Sequence, residues 1–326
     1  MSRIVDGRKG QVNRPEGCPK RGIAPPRGES GRCASGLDHR SVSVIRVGEA
    51  GSRGGVQAAT KMAERRAPVM RIATFNVNGV NGRLPRLLEW LAESRPDVAC
   101  LQEIKTGDAS FPVEAIESAG YGAIWHGQPR HHGVAILARG EVPAEVRKGL
   151  PGDKGDAQAR YLEAQVRGLI VASIYLPNGN PQPGPKFDYK LAWFERLGLH
   201  AQTLRNGGQA VVLAGDFNVV PTDADIYNAG LWRFDAVLQP ESRAAYQRLL
   251  AQGWIDATRH LHPKERVYTF WVNEAAFHRN AGFRMDFLLV HPELAPKLKC
   301  AEVDAKHRGR QKPSDHAPVW IELTGM

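Results

Sequence analysis

The sequence contains only four cysteines in 326 residues, and none of them forms a CxxC pair or lies near histidines at zinc-ligand spacing. We therefore expect no zinc site and no disulfide framework, which is consistent with a protein in a reducing compartment. The sequence also has no apolar run of membrane-spanning length, no GxGxxG after a predicted strand and no phosphate-binding P-loop. We therefore expect a cytoplasmic protein that is neither a membrane protein nor a nucleotide-cofactor enzyme.

Positive charge is in excess, but it is unevenly distributed. The formal net charge is +10, and residues 1–69 contain 14 Lys and Arg against 6 Asp and Glu, so that +8 lies there and +2 elsewhere. This segment is rich in Gly, Arg, Pro and Ser, and its small apolar area cannot offset the entropy lost on ordering. We predict a disordered basic tail over residues 1–69. An upstream start codon would also account for it, since Met62 and Met70 both precede the first predicted strand.

Residues 70–326 show a mixture of strand and helix patterns rather than a regular βαβ repeat. Strands are predicted at 71–75, 98–102, 122–125, 133–138, 159–166, 169–176, 209–214, 267–272, 284–290 and 317–323. Helices are predicted at 84–94, 112–119, 186–204 and 242–252. The long β-β stretches favour an α/β sandwich of two sheets with outer helices over a parallel Rossmann sheet.

The strongest candidate for a catalytic element is Leu213 to Pro221, which reads LAGDFNVVP. Asp216 and Asn218 follow a buried-strand pattern at positions i and i+2, where extended side chains point the same way. A single Asp at a strand end is more commonly a cap or a turn residue. However, similar polar groups follow other predicted strands: Asn76, Glu103, Tyr175 with Asn178, Asp286, and Asp315 with His316. This recurrence predicts one shared polar site.

Carboxylates, amides and a histidine together suit phosphodiester hydrolysis, which needs a hard cation, a positioned water and relief of transition-state charge. Mg²⁺ prefers oxygen ligands, and Glu103 with Asn76 beside it meets that need. Asp286 stands in an otherwise apolar strand and would be costly to bury without a partner. Pairing with His316 is the simplest solution, and the imidazole would then contact a phosphate oxygen or act as a general base.

Six segments, in this order, resemble the signature of the endonuclease/exonuclease/phosphatase superfamily, and in particular its exonuclease III-type DNA repair nucleases. They are FNVNG (75–79), LQEIK (101–105), SIYLPNG (173–179), LAGDFN (213–218), GFRMD (282–286) and SDHAP (314–318). The resemblance covers about residues 70–326 and implies one catalytic domain there. It also implies a DNase I-like fold, a four-layer α/β sandwich of two mixed β-sheets flanked by helices.

The resemblance implies a role for each candidate residue. Asp216 and Asn218 would align or activate the attacking water, Tyr175 would contact the scissile phosphate, and Asp286 would orient His316. The implied metal site, for Mg²⁺ or alternatively Mn²⁺, contains Glu103, Asn76 and Asp315. The implied DNA and phosphate contacts, which include an apolar pocket for a sugar without its base, are Asn178, Asn280, Arg284, Phe270, Trp271, Phe283 and Met285.

The expected activity is that of a 3′-to-5′ exodeoxyribonuclease on double-stranded DNA that also cleaves 5′ to abasic sites, leaving 3′-hydroxyl ends. We expect a monomer associated with the nucleoid, with double-stranded and abasic-site DNA as its partners. One alternative is a relative that hydrolyses phospholipids or small phosphoesters, and another is an inactive DNA-binding protein. Val272 replaces an acidic residue found after the tryptophan in many relatives, and the 273–278 loop is unusual, which leaves substrate preference open.

Overall fold

A computed structural model describes residues 68–326. The tail predicted for residues 1–69 lies outside these residues except for Pro68 and Val69. The strands are Val69–Asn76 (β1), Val98–Gln102 (β2), Tyr121–His126 (β3), Val134–Arg139 (β4), Ala144–Lys148 (β5), Tyr161–Val166 (β6), Leu169–Tyr175 (β7), Val211–Asp216 (β8), Ile255–Asp256 (β9), Asp286–Val290 (β10), Leu298–Val303 (β11) and Val319–Thr324 (β12). The α-helices are Val80–Ser94 (α1), Val113–Ser118 (α2), Pro185–Asn206 (α3), Pro240–Ala251 (α4), Ala257–Leu261 (α5) and Glu274–His278 (α6).

The strands form two six-stranded sheets, ordered β11-β12-β1-β2-β4-β3 and β5-β6-β7-β8-β10-β9. Both sheets are mixed, because β1 is parallel to β2 and β7 is parallel to β8 while the other neighbours are antiparallel. Apolar side chains from both sheets form a core between them. Helices α1 and α2 cover the outer face of the first sheet, and α3 and α4 cover that of the second. The predicted four-layer α/β sandwich is confirmed.

Burial on both faces explains why the central strands have nearly continuous apolar sequences. In β8, Val212 and Ala214 point into the core between the sheets, whereas Val211 and Leu213 point toward α3 and α4. None of the helices that the structure describes is long and apolar enough to cross a membrane.

The strand predicted at residues 267–272 is wrong. Only isolated bridges occur there, from Phe270 to Phe283 and to His316. The backbone N–H groups of Thr269 and Phe270 both donate to the carbonyl of Phe283, at 2.7 and 3.0 Å, so the alternation of a strand ladder is broken. This irregular segment lies beside the strand-end polar groups.

The pairing of the strands brings these polar groups together at one end of the central strands. Asn76 ends β1 opposite Gln102, the last residue of β2, and Glu103 follows directly. In the other sheet, Asp216 at the end of β8 pairs with Tyr175 on one side and with Asp286 on the other. The predicted convergence of strand-end residues therefore occurs across both sheets.

Candidate active site

Asn76 connects the two sheets at the centre of the site. Its fully buried side-chain amide donates from Nδ2 to Glu103 Oε1 at 2.8 Å and to Asp216 Oδ2 at 3.0 Å. Its Oδ1 accepts from the backbone N–H of Asn78 at 3.0 Å, which defines the orientation of the amide. In this arrangement Asn76 positions two carboxylates and directs its oxygen toward Asn78, while its place in the metal site stays a prediction.

Asp216 is almost completely buried and accepts three hydrogen bonds. Besides Asn76, the backbone N–H of Asn218 donates to Oδ1 at 2.9 Å, and Asn218 Nδ2 donates to Oδ2 at 3.3 Å. Burial raises the pKa of Asp216, and the negative charges of Asp286 and Glu103 raise it further, although His316 opposes the shift. A carboxylate whose pKa is raised accepts a proton more readily at neutral pH.

His316 and Asp286 form the predicted pair. The Nδ1 atom of His316 lies 2.9 Å from Asp286 Oδ2, and its Nε2 atom lies 3.8 Å from Asp216 Oδ2. Burial alone would lower the pKa of His316, but the charge of Asp286 and its hydrogen bond outweigh this effect and raise it. The imidazole lies between two carboxylates, whose charges favour its protonated form.

A threonine that we did not select from the sequence positions this pair. The hydroxyl of Thr269 donates to Asp286 Oδ2 at 2.6 Å and accepts from the backbone N–H groups of Met285 and Asp286. The YTFW segment that contains Thr269 was visible in the sequence. Its threonine could not be linked to Asp286 because the two residues are 17 positions apart.

Glu103 is the best candidate for holding a metal ion. The ligand atoms of Glu103, Asp216 and His316 lie within 4.8 Å of one another, as one group among residues 68–326. Carboxylate oxygens fit Mg²⁺, which takes one or two carboxylates with waters and substrate oxygens, and Glu103 can supply one of them. Although burial opposes it, the pKa of Glu103 is lowered by the Asn76 amide and by the Lys105 ammonium, which lies 2.6 Å away.

Asp315 lies outside this group of three. Its Oδ1 accepts from Asn78 Nδ2 at 2.9 Å, and Asn78 Oδ1 in turn accepts from Lys105 Nζ at 2.6 Å. Neither Asn78 nor Lys105 was among the residues selected from the sequence, although both stand in the motifs FNVNG and LQEIK. Together they link the predicted metal residues Glu103 and Asp315 through hydrogen bonds.

Tyr175 and Asn178 lie beside these groups, and their predicted contact with the scissile phosphate stays a prediction. Burial, with the nearby charges of Glu103 and Asp216, raises the pKa of Tyr175, so its hydroxyl remains a donor. The exposed Asn178 donates from Nδ2 to Asn218 Oδ1 at 3.1 Å. The two loops that follow β7 and β8 are thus connected through their asparagine side chains.

Three of the four residues predicted to form an apolar pocket lie in one cluster, and their contact with a sugar stays a prediction. Phe270, Phe283 and Met285 pack together, and the Phe270 ring lies 4.8 Å from the His316 ring. Trp232, which was not predicted, joins them with its ring 4.7 Å from Phe283.

Trp271 belongs to a separate cluster with Phe277, and its Nε1 donates to Asn280 Oδ1 at 3.3 Å. Asn280 itself is exposed beside α6. A Cβ at Gly282 would come within 2.6 Å of Trp271 Nε1, so the indole packs tightly against the backbone. Trp271 therefore lies outside the pocket that was predicted for it.

Arg284 does not face solvent, so its predicted contact with DNA is wrong. Arg284 is 1% exposed, and its guanidinium forms ion pairs with Asp225 at 2.7 Å and with Asp256 at 2.6 Å. These carboxylates raise its pKa further despite its burial. The alternation of GFRMD places Phe283 and Met285 in the aromatic cluster and Arg284 on the opposite side, where it anchors the segment.

Comparison with known proteins identifies similar sequences and structures. The model of the "Endonuclease/Exonuclease/phosphatase family" matches residues 73–316. The chain is 36% identical to exodeoxyribonuclease III of Haemophilus influenzae over 78% of this chain and 100% of the relative. Among solved structures, it resembles the 3′ phosphatase NExo from Neisseria bound to product DNA hairpin, with 38% identity, a TM-score of 0.75, and coverage of 78% and 99% of the two chains. An AP endonuclease from Archaeoglobus fulgidus shows 34% identity, a TM-score of 0.75, and coverage of 79% and 100%.

Proposed function

The chain belongs to the endonuclease/exonuclease/phosphatase family, and we propose that it is a DNA repair nuclease. It acts as a 3′-to-5′ exodeoxyribonuclease on double-stranded DNA and as an endonuclease that cleaves 5′ to abasic sites, leaving 3′-hydroxyl ends. The observation that carries the proposal is the junction at Asn76, which joins Glu103 to Asp216 next to the His316–Asp286 pair. We assign the activity to residues 70–326, acting as a cytoplasmic monomer associated with the nucleoid.

Each group in the site has a definite role in phosphodiester hydrolysis. Asp216, with its raised pKa, orients the attacking water and accepts its proton, and Asn218 helps to position that water. Protonated His316 donates a hydrogen bond to a phosphate oxygen and stabilises the charge that develops there. Tyr175 and Asn178 donate further hydrogen bonds to the phosphate.

The metal ion in this proposal is Mg²⁺, with Mn²⁺ as a substitute. Glu103, whose pKa is lowered by Asn76 and Lys105 in spite of its burial, would hold it as a carboxylate. When bound, the ion supplies a positive charge that polarises the phosphate oxygens. Asn76 positions Glu103 and Asp216 relative to each other, while Asp315 remains linked to this site through Asn78.

The alternatives are less well supported. An inactive DNA-binding protein would have lost part of the catalytic set, whereas Asp216, Asn218, Asp286 and His316 are assembled and hydrogen-bonded. A phospholipid or small-phosphoester hydrolase would not need an aromatic cluster adjoining His316. Because a Neisseria relative is a 3′ phosphatase, removal of a 3′-phosphate from DNA is a second candidate that uses the same residues.

The central test uses a labelled duplex with a single abasic site, with Mg²⁺ or with EDTA. We expect cleavage 5′ to the abasic site with Mg²⁺, and loss of activity in EDTA that added Mg²⁺ reverses, because the phosphate charge needs a hard cation. Extension of the product by a DNA polymerase would confirm the 3′-hydroxyl. Undamaged and 3′-phosphorylated duplexes measure the exonuclease and phosphatase reactions. Full activity in EDTA, or hydrolysis of phospholipid but not DNA, would contradict the proposal.

The aromatic cluster should determine preference for abasic DNA. Phe270 is half-buried and contacts both Phe283 and His316, so Phe270→Ala removes an apolar wall beside the phosphate site. We expect abasic-site cleavage to fall by about 10-fold or more, with a smaller effect on exonuclease action, because shape selects the baseless sugar while the hydrolytic groups serve both reactions. The ratio of kcat/KM on the two substrates measures this.

Phe277→Ala provides a matched control, since Phe277 is also half-buried but packs against Trp271 in the other cluster. It should leave the substrate ratio unchanged. If both variants lower both activities equally, in parallel with a lower melting temperature, then Phe270 is only a packing residue.

A further inference from the structure

Helix α3 contains a fully buried lysine that contacts the backbone next to the active site. Lys190 is 0% exposed, and its Nζ donates to the backbone carbonyl of Asn178 at 3.0 Å and, through a shorter hydrogen bond, to that of Asn218. Its two partners are thus backbone carbonyls of the loops that follow β7 and β8. One ammonium therefore joins the two chain segments that present the proposed phosphate-contacting and water-positioning asparagines.

The conformation of Asn218 at this junction is constrained by its backbone and by its side-chain hydrogen bonds. Asn218 has a φ of 45°, in the left-handed region that a non-glycine residue seldom adopts. Its side chain is held by Asn178 Nδ2 and by the carbonyl of Leu176, to which its own Nδ2 donates at 2.8 Å. Because Lys190 donates a hydrogen bond to the Asn218 carbonyl, it stabilises the backbone conformation that directs the Asn218 side-chain amide toward Asp216.

Burial of the Lys190 ammonium costs desolvation free energy. Burial lowers the pKa of Lys190 to about 7, although the negative charges of Asp216 and Asp235 oppose the shift and the charge of Arg160 reinforces it. An apolar side chain would avoid that desolvation cost. The aliphatic stem also needs Gly179, whose φ is 93° and at which a Cβ would come within 2.6 Å of Lys190 Cδ. Both features indicate that the ammonium serves the junction rather than the packing of α3.

We propose that Lys190 is a positioning residue of the active site, whose ammonium fixes the loops of Asn178 and Asn218 relative to each other. The proposal deepens the function proposed above and rests on it. Lys190 does not contact substrate. It acts through the two asparagines, and its loss should therefore impair the chemical step more than the binding of the duplex.

The test compares Lys190→Met with Lys186→Met, an exposed lysine one turn earlier on the same helix. Methionine has a similar volume but lacks the charge and the donors. We expect Lys190→Met to lower kcat on abasic duplex by about 10- to 100-fold, the cost of a small misplacement in a reacting site. Duplex affinity and the midpoint of urea unfolding should remain near those of wild type, and Lys186→Met should retain wild-type kcat.

A double-mutant cycle with Asn218→Ala distinguishes positioning from general destabilisation. If Lys190 acts through Asn218, Lys190→Met should cost little more once Asn218 is truncated. Additive losses that follow the unfolding midpoint would overturn the proposal. If Lys190→Met does not fold, Lys190→Gln, which keeps one donor group without the charge, replaces it in the same cycle and is expected to retain part of kcat.

A second measurement does not depend on the substrate. In protein labelled with ¹⁵N-asparagine, the side-chain amide resonances of Asn178 and Asn218 should shift in Lys190→Met and stay fixed in Lys186→Met. Unchanged resonances in the folded variant would refute the positioning role. If wild-type protein does not cleave abasic DNA but these resonances shift, then the proposed function fails and the role of Lys190 in the junction stands.

Discussion

Replacing Asp216 with asparagine is expected to lower kcat on abasic duplex by about 10³-fold or more, because an amide cannot accept the proton of the attacking water. The raised pKa of Asp216, produced by burial and by the neighbouring carboxylates, is what suits it to this role. Asparagine has nearly the same shape and can still accept from the Asn218 backbone N–H. Single-turnover rates and duplex affinities, measured in parallel, separate the chemical step from binding.

Duplex affinity should be retained in Asp216→Asn, since removing a negative charge reduces repulsion of the phosphate. Asp223→Asn is the matched control, because Asp223 follows the same strand but is 76% exposed and pairs with Arg243. It should behave as wild type. Near-wild-type turnover by Asp216→Asn would show that another group activates the water.

The convergence of the proposed catalytic residues could be predicted because it depends on strand ends alone. A buried strand followed by a polar residue is visible in the sequence, as at Asp216 and Glu103. Pairing of neighbouring strands then brings such residues together at the same end of the sheet. The pairing of Asp286 with His316 could also be inferred, because a buried carboxylate needs a partner. These predictions used only local pattern and the cost of desolvation.

The misassigned residues depend on directions that sequence spacing does not contain. Arg284 and Trp271 both stand next to residues of the aromatic cluster, yet each points elsewhere, Arg284 into two ion pairs and Trp271 toward Phe277. Period-two alternation would have separated Arg284 from Phe283 and Met285, had it been applied to GFRMD. It could not do so for Trp271, because the backbone near Thr269 departs from a regular strand.

The residues that were missed act over long sequence separations. Lys190 is 28 positions from Asn218, and Trp232 joins Phe283 from the short 3₁₀ helix Ala229–Trp232, which no sequence pattern predicted. A lysine within a helix pattern is ordinarily read as solvent-exposed, because charged side chains are rarely buried. Only the packing of α3 against the loops after β7 and β8 shows that this one is not.

The His316–Asp286 pair should behave as a single unit in catalysis. We expect His316→Ala to lower kcat by about 10²- to 10³-fold, the usual contribution of one donor to a charge that develops in the transition state. Asp286→Asn keeps the shape of the side chain but removes the charge that raises the pKa of His316. That pKa should then fall, so the imidazole loses its proton at a lower pH and the alkaline limb of the rate profile moves to lower pH. Rate profiles and NMR titration of His316 measure both shifts.

Combining Asp286→Asn with His316→Ala should cost hardly more than His316→Ala alone, because Asp286 acts only through the imidazole. Thr269→Val extends the argument, since the Thr269 hydroxyl donates to the same Asp286 oxygen that contacts His316. Loss of that hydrogen bond should leave a smaller defect, which also disappears when His316 is absent. Thr203→Val, an exposed threonine near the end of α3, should have no effect in either background. Additive losses of Asp286 and His316 would mean that the two residues serve separate steps, and that the 2.9 Å contact between them is structural.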